Sequence, residues 1–349
     1  MDALDDADLD LIAALQLAPR VPLNVIADVL GSSATTVGRR LQQLQRRRLV
    51  RVISTVHWSL ITSGNPYVVW IRCEPGRTEQ VAAALQAVPE AQSILITTGD
   101  ADIHCTIYPL AGTDARRLLS RDLPSIPGVA SLHSELVLRP VRQGIDWRIG
   151  RLTTEQAAAL SQHGLPGTGG EPRTVPPLST TEFEVLRLLF DDGRISAAQV
   201  ARELGLSRST AYRVIQSLLD GGAARPRVEV EPAAVGFPVT ALCAVKVQPR
   251  HIPSALDALS RHPSGRFTVM VAGSSALIHH GVFRGEDDLA SFVTDELGAL
   301  PGVRETAMSI ALGVLRRQWI DREEDVLLGE RRHDILARRT AGGPAEGTG

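Results

Sequence analysis

The chain repeats itself at one long period, and that period limits its possible folds more than any short motif does. Residues 4–44 read LDDADLDLIAALQLAPRVPLNVIADVLGSSATTVGRRLQQL, and residues 178–218 read LSTTEFEVLRLLFDDGRISAAQVARELGLSRSTAYRVIQSL. Arg20 and Arg194, Gly31 and Gly205, Thr36 and Thr210, and Arg39 and Arg213 all stand 174 positions apart. So do Gly99 and Gly273, and the turns Pro127-Gly128-Val129 and Pro301-Gly302-Val303. Only the stretch between slips, with Gly64-Asn65-Pro66 matching Gly236-Phe237-Pro238 at 172. Solenoid repeats run to about 20–50 residues, so this period is far too long for one. It marks a tandem duplication of a two-domain unit.

Each unit opens with helical periodicity. Leu4, Leu9, Ile12 and Leu15 recur at helical spacing, as do Leu178, Val185, Leu186 and Leu189. A second helix covers Leu23–Leu30, with Pro22 read as its first residue, or Ala197–Leu204 behind an N-cap at Ser196. Gly31 or Gly205 stops it, and Ser33 or Ser207 caps a third helix two residues later. Helix, short glycine turn and capped helix make a helix-turn-helix. Val37, Leu41 and Leu44 form an apolar stripe on the third helix, which turns Thr35, Thr36, Gly38, Arg39, Arg40 and Gln42 outward. Copy two offers Arg208, Ser209, Thr210, Tyr212 and Arg213 in those places. Short hydroxyl side chains with arginine suit base edges and phosphates of double-stranded DNA. The alternative is a helical hairpin that merely packs. Leu49–Trp58 and Arg225–Val230 read as β-rich wings that would lie along the DNA backbone.

Charge supports the nucleic-acid reading. The formal net charge is only −2, with 37 Lys+Arg against 39 Asp+Glu. Yet no acid occurs between Asp28 and Glu74, where Arg39, Arg40, Arg46, Arg47, Arg48, Arg51 and Arg72 all fall. Residues 205–230 set Arg208, Arg213, Arg225 and Arg227 against Asp220 and Glu229. Copy one is therefore expected to supply more of the salt-dependent affinity.

From Tyr67 the periodicity becomes βαββαβ, the ferredoxin-like plan. Its segments are Tyr67–Arg72, Thr78–Val88, Ile94–Thr98, Ile103–Tyr108, Thr113–Leu123 and Val129–Leu138. Copy two gives Thr240–Val247, Ile252–Arg261, Phe267–Ala272, Ala276–Phe283, Asp287–Leu297 and Glu305–Leu315. In the third strand Ile103, Cys105 and Ile107 face one way and His104, Thr106 and Tyr108 the other, with no charge on either side. Both sheet faces are thus expected to be buried, one of them by the other copy. The fold class is α+β, divided as a winged helix-turn-helix at 1–60 and an αβ domain at 61–150. A linker at 151–177 leads to a second winged helix-turn-helix at 178–235 and a second αβ domain at 236–320. A charged, partly disordered tail follows at 321–349. The joint is richest in Gly and Pro at 164–177, GLPGTGGEPRTVPP.

The rest is exclusion. A hydrophobic fraction of 44% without a spanning-length apolar run gives no membrane segment. Cys73, Cys105 and Cys243 lie too far apart for a CxxC pair, and the acidic start lacks a signal peptide's features. A cytoplasmic protein is expected. No metal-ligand, phosphate-loop or nucleophile-elbow signature occurs, so no cofactor, metal or catalytic residue is assigned.

The helix-turn-helix runs, together with Thr98-Gly99-Asp100-Ala101-Asp102, Leu123-Pro124 and Pro127-Gly128-Val129, resemble the Lrp/AsnC (feast/famine) family of transcriptional regulators. The resemblance covers roughly 4–150 and 178–320. It implies a sequence-specific DNA-binding regulator whose αβ domains self-associate and bind an amino acid or other small effector. Carried over, the effector turn is Thr98, Gly99, Asp100 and Asp102. Copy two reads Gly273-Ser274-Ser275-Ala276 there, which keeps the glycine and loses both acids, leaving Gly273, Ser274 and Ser275 as its candidates. An ordinary hairpin turn uses the same residue types. The tandem form departs from the single-unit family member, so one chain is expected to act as a pseudo-dimer on an asymmetric site. The rival is a tetrapyrrole enzyme resembling the siroheme decarboxylases, which share these two domains and hold carboxylates with His and Arg. His104, His279 and His280 fall in strands, but they read better as packed strand histidines, and no His/Arg/aromatic cluster is evident in the sequence.

Overall fold

The computed structural model describes residues 4–163, 175–323, 326–328 and 334–337. Copy one runs α1 (Asp6–Leu17), α2 (Leu23–Val29), α3 (Ala34–Arg46) and β1 (Val50–Val56). It continues through β2 (Tyr67–Cys73), α4 (Thr78–Gln86), β3 (Ala91–Thr97) and β4 (Ile103–Ile107). It ends with α5 (Ala115–Arg117), prolonged by a π-helical turn Leu118–Asp122, and β5 (Val129–Arg142). After α6 (Thr154–Ser161), copy two repeats the order as α7 (Thr180–Asp191), α8 (Ala197–Leu204), α9 (Arg208–Asp220) and β6 (Ala224–Val230). Then come β7 (Val239–Val247), α10 (Ile252–Arg261), β8 (Gly265–Ala272) and β9 (Leu277–Phe283). The last elements are α11 (Glu286–Ser291) with a π-turn Phe292–Leu297, β10 (Val303–Arg317) and β11 (Ile320–Glu323). No helix of the described residues is long and apolar enough to cross a membrane.

The chain gathers into two compact units that cut across the duplication. One takes the described residues of 1–60, 148–235 and 325–327, and the other those of 61–147, 236–324 and 328–349. Like is thus grouped with like: both helix-turn-helices in the first unit, both αβ repeats in the second.

In the first unit the local signals behave as their chemistry requires. Ser33 Oγ accepts from Thr36 N at 3.1 Å, and Ser207 Oγ from Thr210 N at 3.1 Å. Ser196 and Gln199 form a reciprocal capping box on α8. Gly31 and Gly205 sit at φ +65° and +66°, the left-handed conformation that a Cβ resists. Pro22 stands just ahead of α2 as its N-cap rather than as its first helical residue. The wings differ more. Each is a single strand, and β1 pairs antiparallel with β6 in the register Val50↔Val230 through Val56↔Ala224. Most of their side chains are buried, so these strands join the two copies instead of lying free along a duplex.

The linker also contains structure. Thr153 and Gln156 form a capping box on α6, Leu160 is fully buried, and Gln156 Nε2 donates to Val29 O at 3.2 Å. This helix therefore packs on copy one, and most of the Gly/Pro joint, 164–174, lies outside the described residues.

In the second unit β5 and β10 are long because each serves two sheets. The first half of β5 pairs with β2 and its second half with β8. Likewise β10 pairs first with β7 and then with β3. Adding β2–β4, β3–β4, β7–β9 and β8–β9, the ladder closes on itself through four strands of each copy. Outside the ladder, Ile71, Val81, Leu85, Ile103, Cys105 and Ile107 pack with α4 and α5. Ala241, Cys243, Leu256, Leu259 and Phe292 do the same for α10 and α11. Between the sheets lie Val68, Trp70, Leu95, Leu242, Val269 and Ile278 from both copies. The third strands β4 and β9 are covered on both faces, as their lack of charge required.

The tail boundary at 321 falls inside a strand. Arg316↔Asp321 and Arg317↔Ile320 form a hairpin whose turn residues Gln318 and Trp319 have φ +55° and +58°. Trp319 anchors it, its Nε1 donating to Pro89 O at 2.9 Å. Arg316, fully buried, donates to Asp321 Oδ1 at 2.6 Å and to Gln86 O at 2.7 Å.

Candidate nucleic-acid interface and effector turns

On α3 the buried stripe is Val37, Leu41 and Leu44, which leaves Thr35, Arg39 and Gln42 exposed. Thr36 is half-buried and its Oγ1 lies 2.9 Å from Ser33 Oγ, so both hydroxyls belong to the cap. Gly38 is half-buried where a Cβ would sit 3.6 Å from Leu23 Cδ1, an ordinary contact. On α9 Arg208, Ser209, Tyr212 and Arg213 are exposed and Thr210 is half-buried. Ser207 Oγ engages Ser209 Oγ at 2.9 Å and Thr210 Oγ1 at 2.8 Å. Tyr212, at 58% exposure, occupies the place that Gly38 holds in copy one.

Arg40 does not join this face. Its Nη1 donates to Asp5 Oδ2 and Asp8 Oδ1, both at 2.8 Å, and these bonds hold its pKa above the ordinary arginine value. The Asp5 carboxyl is lowered in turn by the Asp8 backbone N–H and by Arg40. Two more arginines of the acid-free run are neutralised: Arg51 lies 3.8 Å from Asp191 and Arg72 3.6 Å from Asp100. In copy two Arg227 and Glu229 form a buried pair at 2.8 Å. The charge available to DNA in copy one is therefore smaller than composition suggested, because the partnering acids come from outside the acid-free run.

The two candidate effector turns are each completed by the opposite copy. Thr98 N donates to Ile310 O at 2.9 Å, and Ile310 N donates to Thr98 Oγ1 at 3.0 Å. Gly99 has φ +92°, and a Cβ there would lie 3.0 Å from Met308 O and 3.1 Å from Ser309 Oγ. Asp102 Oδ2 accepts from Cys73 N at 2.7 Å, so part of this carboxylate serves the fold. Asp100 is exposed beside Arg72. In copy two a Cβ on Gly273 would meet Glu135 Cγ at 2.5 Å. Glu135 Oε1 accepts from Ser274 Oγ at 3.0 Å and Ser275 N at 2.8 Å, while Oε2 accepts from Trp70 Nε1 at 3.1 Å. Glu135 carried no signal in the sequence; its equivalence to Ser309 at the 174 offset was the available clue.

The interior of the strand ladder holds a grouping that the sequence did not reveal. His104 meets Trp70 edge-on at 4.8 Å, and Trp70 stacks on the exposed His133 at the margin of that interior, at 6.1 Å. His280 is half-buried near Arg317, Arg266 and His104, and desolvation first, then the two guanidinium charges, lower its pKa well below the ordinary histidine value. Neither ring nitrogen of His104 has a hydrogen-bond partner among the described residues. A His/Arg/aromatic cluster is therefore present, because strands far apart in sequence line one interior. His279 is a packed strand histidine, its Nδ1 2.9 Å from Thr268 Oγ1.

Comparison with known proteins decides the family. The Lrp/AsnC ligand binding domain matches residues 67–145 and again 240–319. The AsnC-type helix-turn-helix domain matches 4–45, and a winged helix-turn-helix DNA-binding domain matches 178–223. The chain belongs to the Lrp/AsnC family. Relatives match one copy at a time. The HTH-type transcriptional regulator AldR of Mycobacterium tuberculosis is 29% identical over 143 residues, 40% of this chain and 80% of its own length. An uncharacterized HTH-type transcriptional regulator of Pyrococcus abyssi is 24% identical over 143 residues, 41% of this chain and 89% of its own. In fold, the whole Lrp/AsnC chain is similar to the siroheme decarboxylase NirDL solved with an iron-uroporphyrin III analogue. That likeness has a TM-score of 0.61 at 13% identity and covers 96% of this chain and 98% of the other.

Proposed function

We propose that this Lrp/AsnC chain regulates transcription by placing two unlike recognition helices, α3 and α9, on one asymmetric DNA site, under the control of a small effector at the Gly99 turn. The observation that carries the reading is that each helix is capped by serine and follows a left-handed glycine, while the exposed residues differ: Thr35, Arg39 and Gln42 against Arg208, Tyr212 and Arg213. Arginine bidentate to guanine, with short hydroxyl and amide side chains beside it, is the chemistry that reads a major groove. The β1–β6 ladder supports use of one chain as a pseudo-dimer, since it ties the two helix-turn-helices together without a second chain. The αβ repeats support self-association and effector response as properties of the ligand-binding domain.

The test is binding to DNA from the protein's own upstream region, titrated across salt. A sequence-preferring complex with a steep log K against log[salt] slope supports the reading, and each lost phosphate contact flattens that slope by about 0.9. Sequence-blind, weak binding overturns it, and a palindrome with equal half-sites overturns the asymmetric form.

A second reading rests on the interior His104, His280, Arg266 and Arg317 grouping, whose chemistry suits a polycarboxylate such as a tetrapyrrole. Titration with an iron uroporphyrin separates the two. A saturable shift of its visible band, lost in His104→Ala, favours the enzyme; an unshifted band leaves the regulator.

A further inference from the structure

Positions 135 and 309 are equivalent in the duplication, and each faces the effector turn of the other copy. Turn one carries Asp100 and Asp102 and faces Ser309; turn two carries Ser274 and Ser275 and faces Glu135. The acid has changed sides. At turn two the carboxylate accepts three hydrogen bonds, from a hydroxyl, a backbone N–H and an indole N–H, and is 1% exposed. Burying a carboxylate is costly unless several donors replace its water, and converging neutral donors form a carboxylate receptor. Gly273 is what lets the side chain come so near, since a Cβ there would overlap Glu135.

We infer that Glu135 is a built-in occupant of the second effector turn, filling a carboxylate receptor made by Ser274, Ser275 and Trp70, so that each chain takes a diffusible carboxylate ligand only at the first turn. This rests on the reading of the Gly99 turn as an effector site. The physical content is a tethered ligand: Glu135 is held beside its donors by the fold, and an attached group outcompetes a free carboxylate through its high effective concentration. Turn one, with only Ser309 opposite, has no such competitor.

The experiment uses the full chain and Glu135→Ser, which installs the residue that copy two carries at the equivalent position 309. Both are titrated calorimetrically with each common L-amino acid, and both are melted in sodium acetate against sodium chloride at equal ionic strength. Acetate is expected to raise the Tm of the variant by about 2–4 °C more than that of the native chain. An amino acid that binds the native chain once is expected to bind the variant twice. An acetate shift no larger in the variant than in the native chain overturns the inference, whatever the amino acids do. Two equal sites on the native chain also overturn it and leave the effector reading of turn one standing. Acetate rescue of the variant with no amino acid bound by either protein supports the receptor and overturns the reading of turn one. The reciprocal Ser309→Glu variant is expected to lose the native site, and retention of that site would count against the inference.

Discussion

Arg20 of copy one and Arg194 of copy two, equivalent residues 174 positions apart, each reach into the other's loop. Arg20 donates to Gly193 O and Ile195 O, and Arg194 to Pro19 O and Val21 O. Burial lowers the pKa of both guanidinium groups, against which four carbonyls supply the compensating bonds. Alanine at either position leaves two carbonyls unpaired and is expected to cost about 1.5–3 kcal/mol, read as a lower urea midpoint. The double variant should be less than additive, because both arginines hold one junction. Strict additivity would argue that the two loops are independent.

Gly193 is a sharper probe of the same junction. Its N–H donates to Val52 O at 3.0 Å, and a Cβ would fall 2.5 Å from Ile53 O. Gly193→Ala must therefore push β1 away, at a cost of about 1–3 kcal/mol by the usual penalty for overpacking. A denaturation midpoint unchanged from the native chain would show that the strand yields freely.

Arg39 and Arg40 are neighbours with opposite expected roles. Arg39→Ala should weaken specific DNA binding by about 1–3 kcal/mol and flatten the salt slope. Arg40→Ala breaks part-buried ion pairs to Asp5 and Asp8 on the helix-turn-helix, so DNA affinity should stay within about twofold and stability fall by about 1 kcal/mol. Fluorescence anisotropy on one operator fragment compares them, and equal losses would refute the division.

The two readers should be exchangeable at a single equivalent position. Tyr212→Gly and Gly38→Tyr each make the exposed faces more alike, so binding-site selection should return half-sites that converge. Unaltered selected sequences would show that position 38 or 212 does not touch bases.

Stability should depend on pH below neutrality. Burial pushes the His104 and His279 pKa values down to about 3, and His280 well below its ordinary value. Unfolded, each titrates near about 6.5. As pH falls from there toward 3, the unfolded chain takes up protons that the folded chain refuses, so stability declines. The slope approaches about 1.4 kcal/mol per pH unit for each histidine, and it vanishes above about pH 7.5. Urea midpoints across that range should flatten in His104→Leu; an unchanged slope would mean that His104 is not neutral when folded.

Much of this is legible in the sequence alone. Ser33, Ser207, Gly31 and Gly205 marked the helix-turn-helices because caps and left-handed turns are chosen by a few neighbouring atoms. The alternation around Cys105 showed that both faces of the third strand are buried. Arg40, Arg51 and Arg72 look like available charge in the sequence because their partners Asp5, Asp8, Asp191 and Asp100 all lie outside the acid-free run. Glu135 and the His104–His280 grouping were invisible for the same reason.

The sequence by itself determined the element order, the duplication and the family, since these rest on local periodicity and on a constant offset. Only the tertiary structure decided what completes what. It paired β1 with β6, and it set Ser309 and Glu135 opposite the turns at Gly99 and Gly273. It also swapped Arg20 and Arg194 between loops. Such pairings join residues about 140–210 positions apart, and a chain specifies them through the shapes of two packed surfaces rather than through any stretch of neighbouring residues.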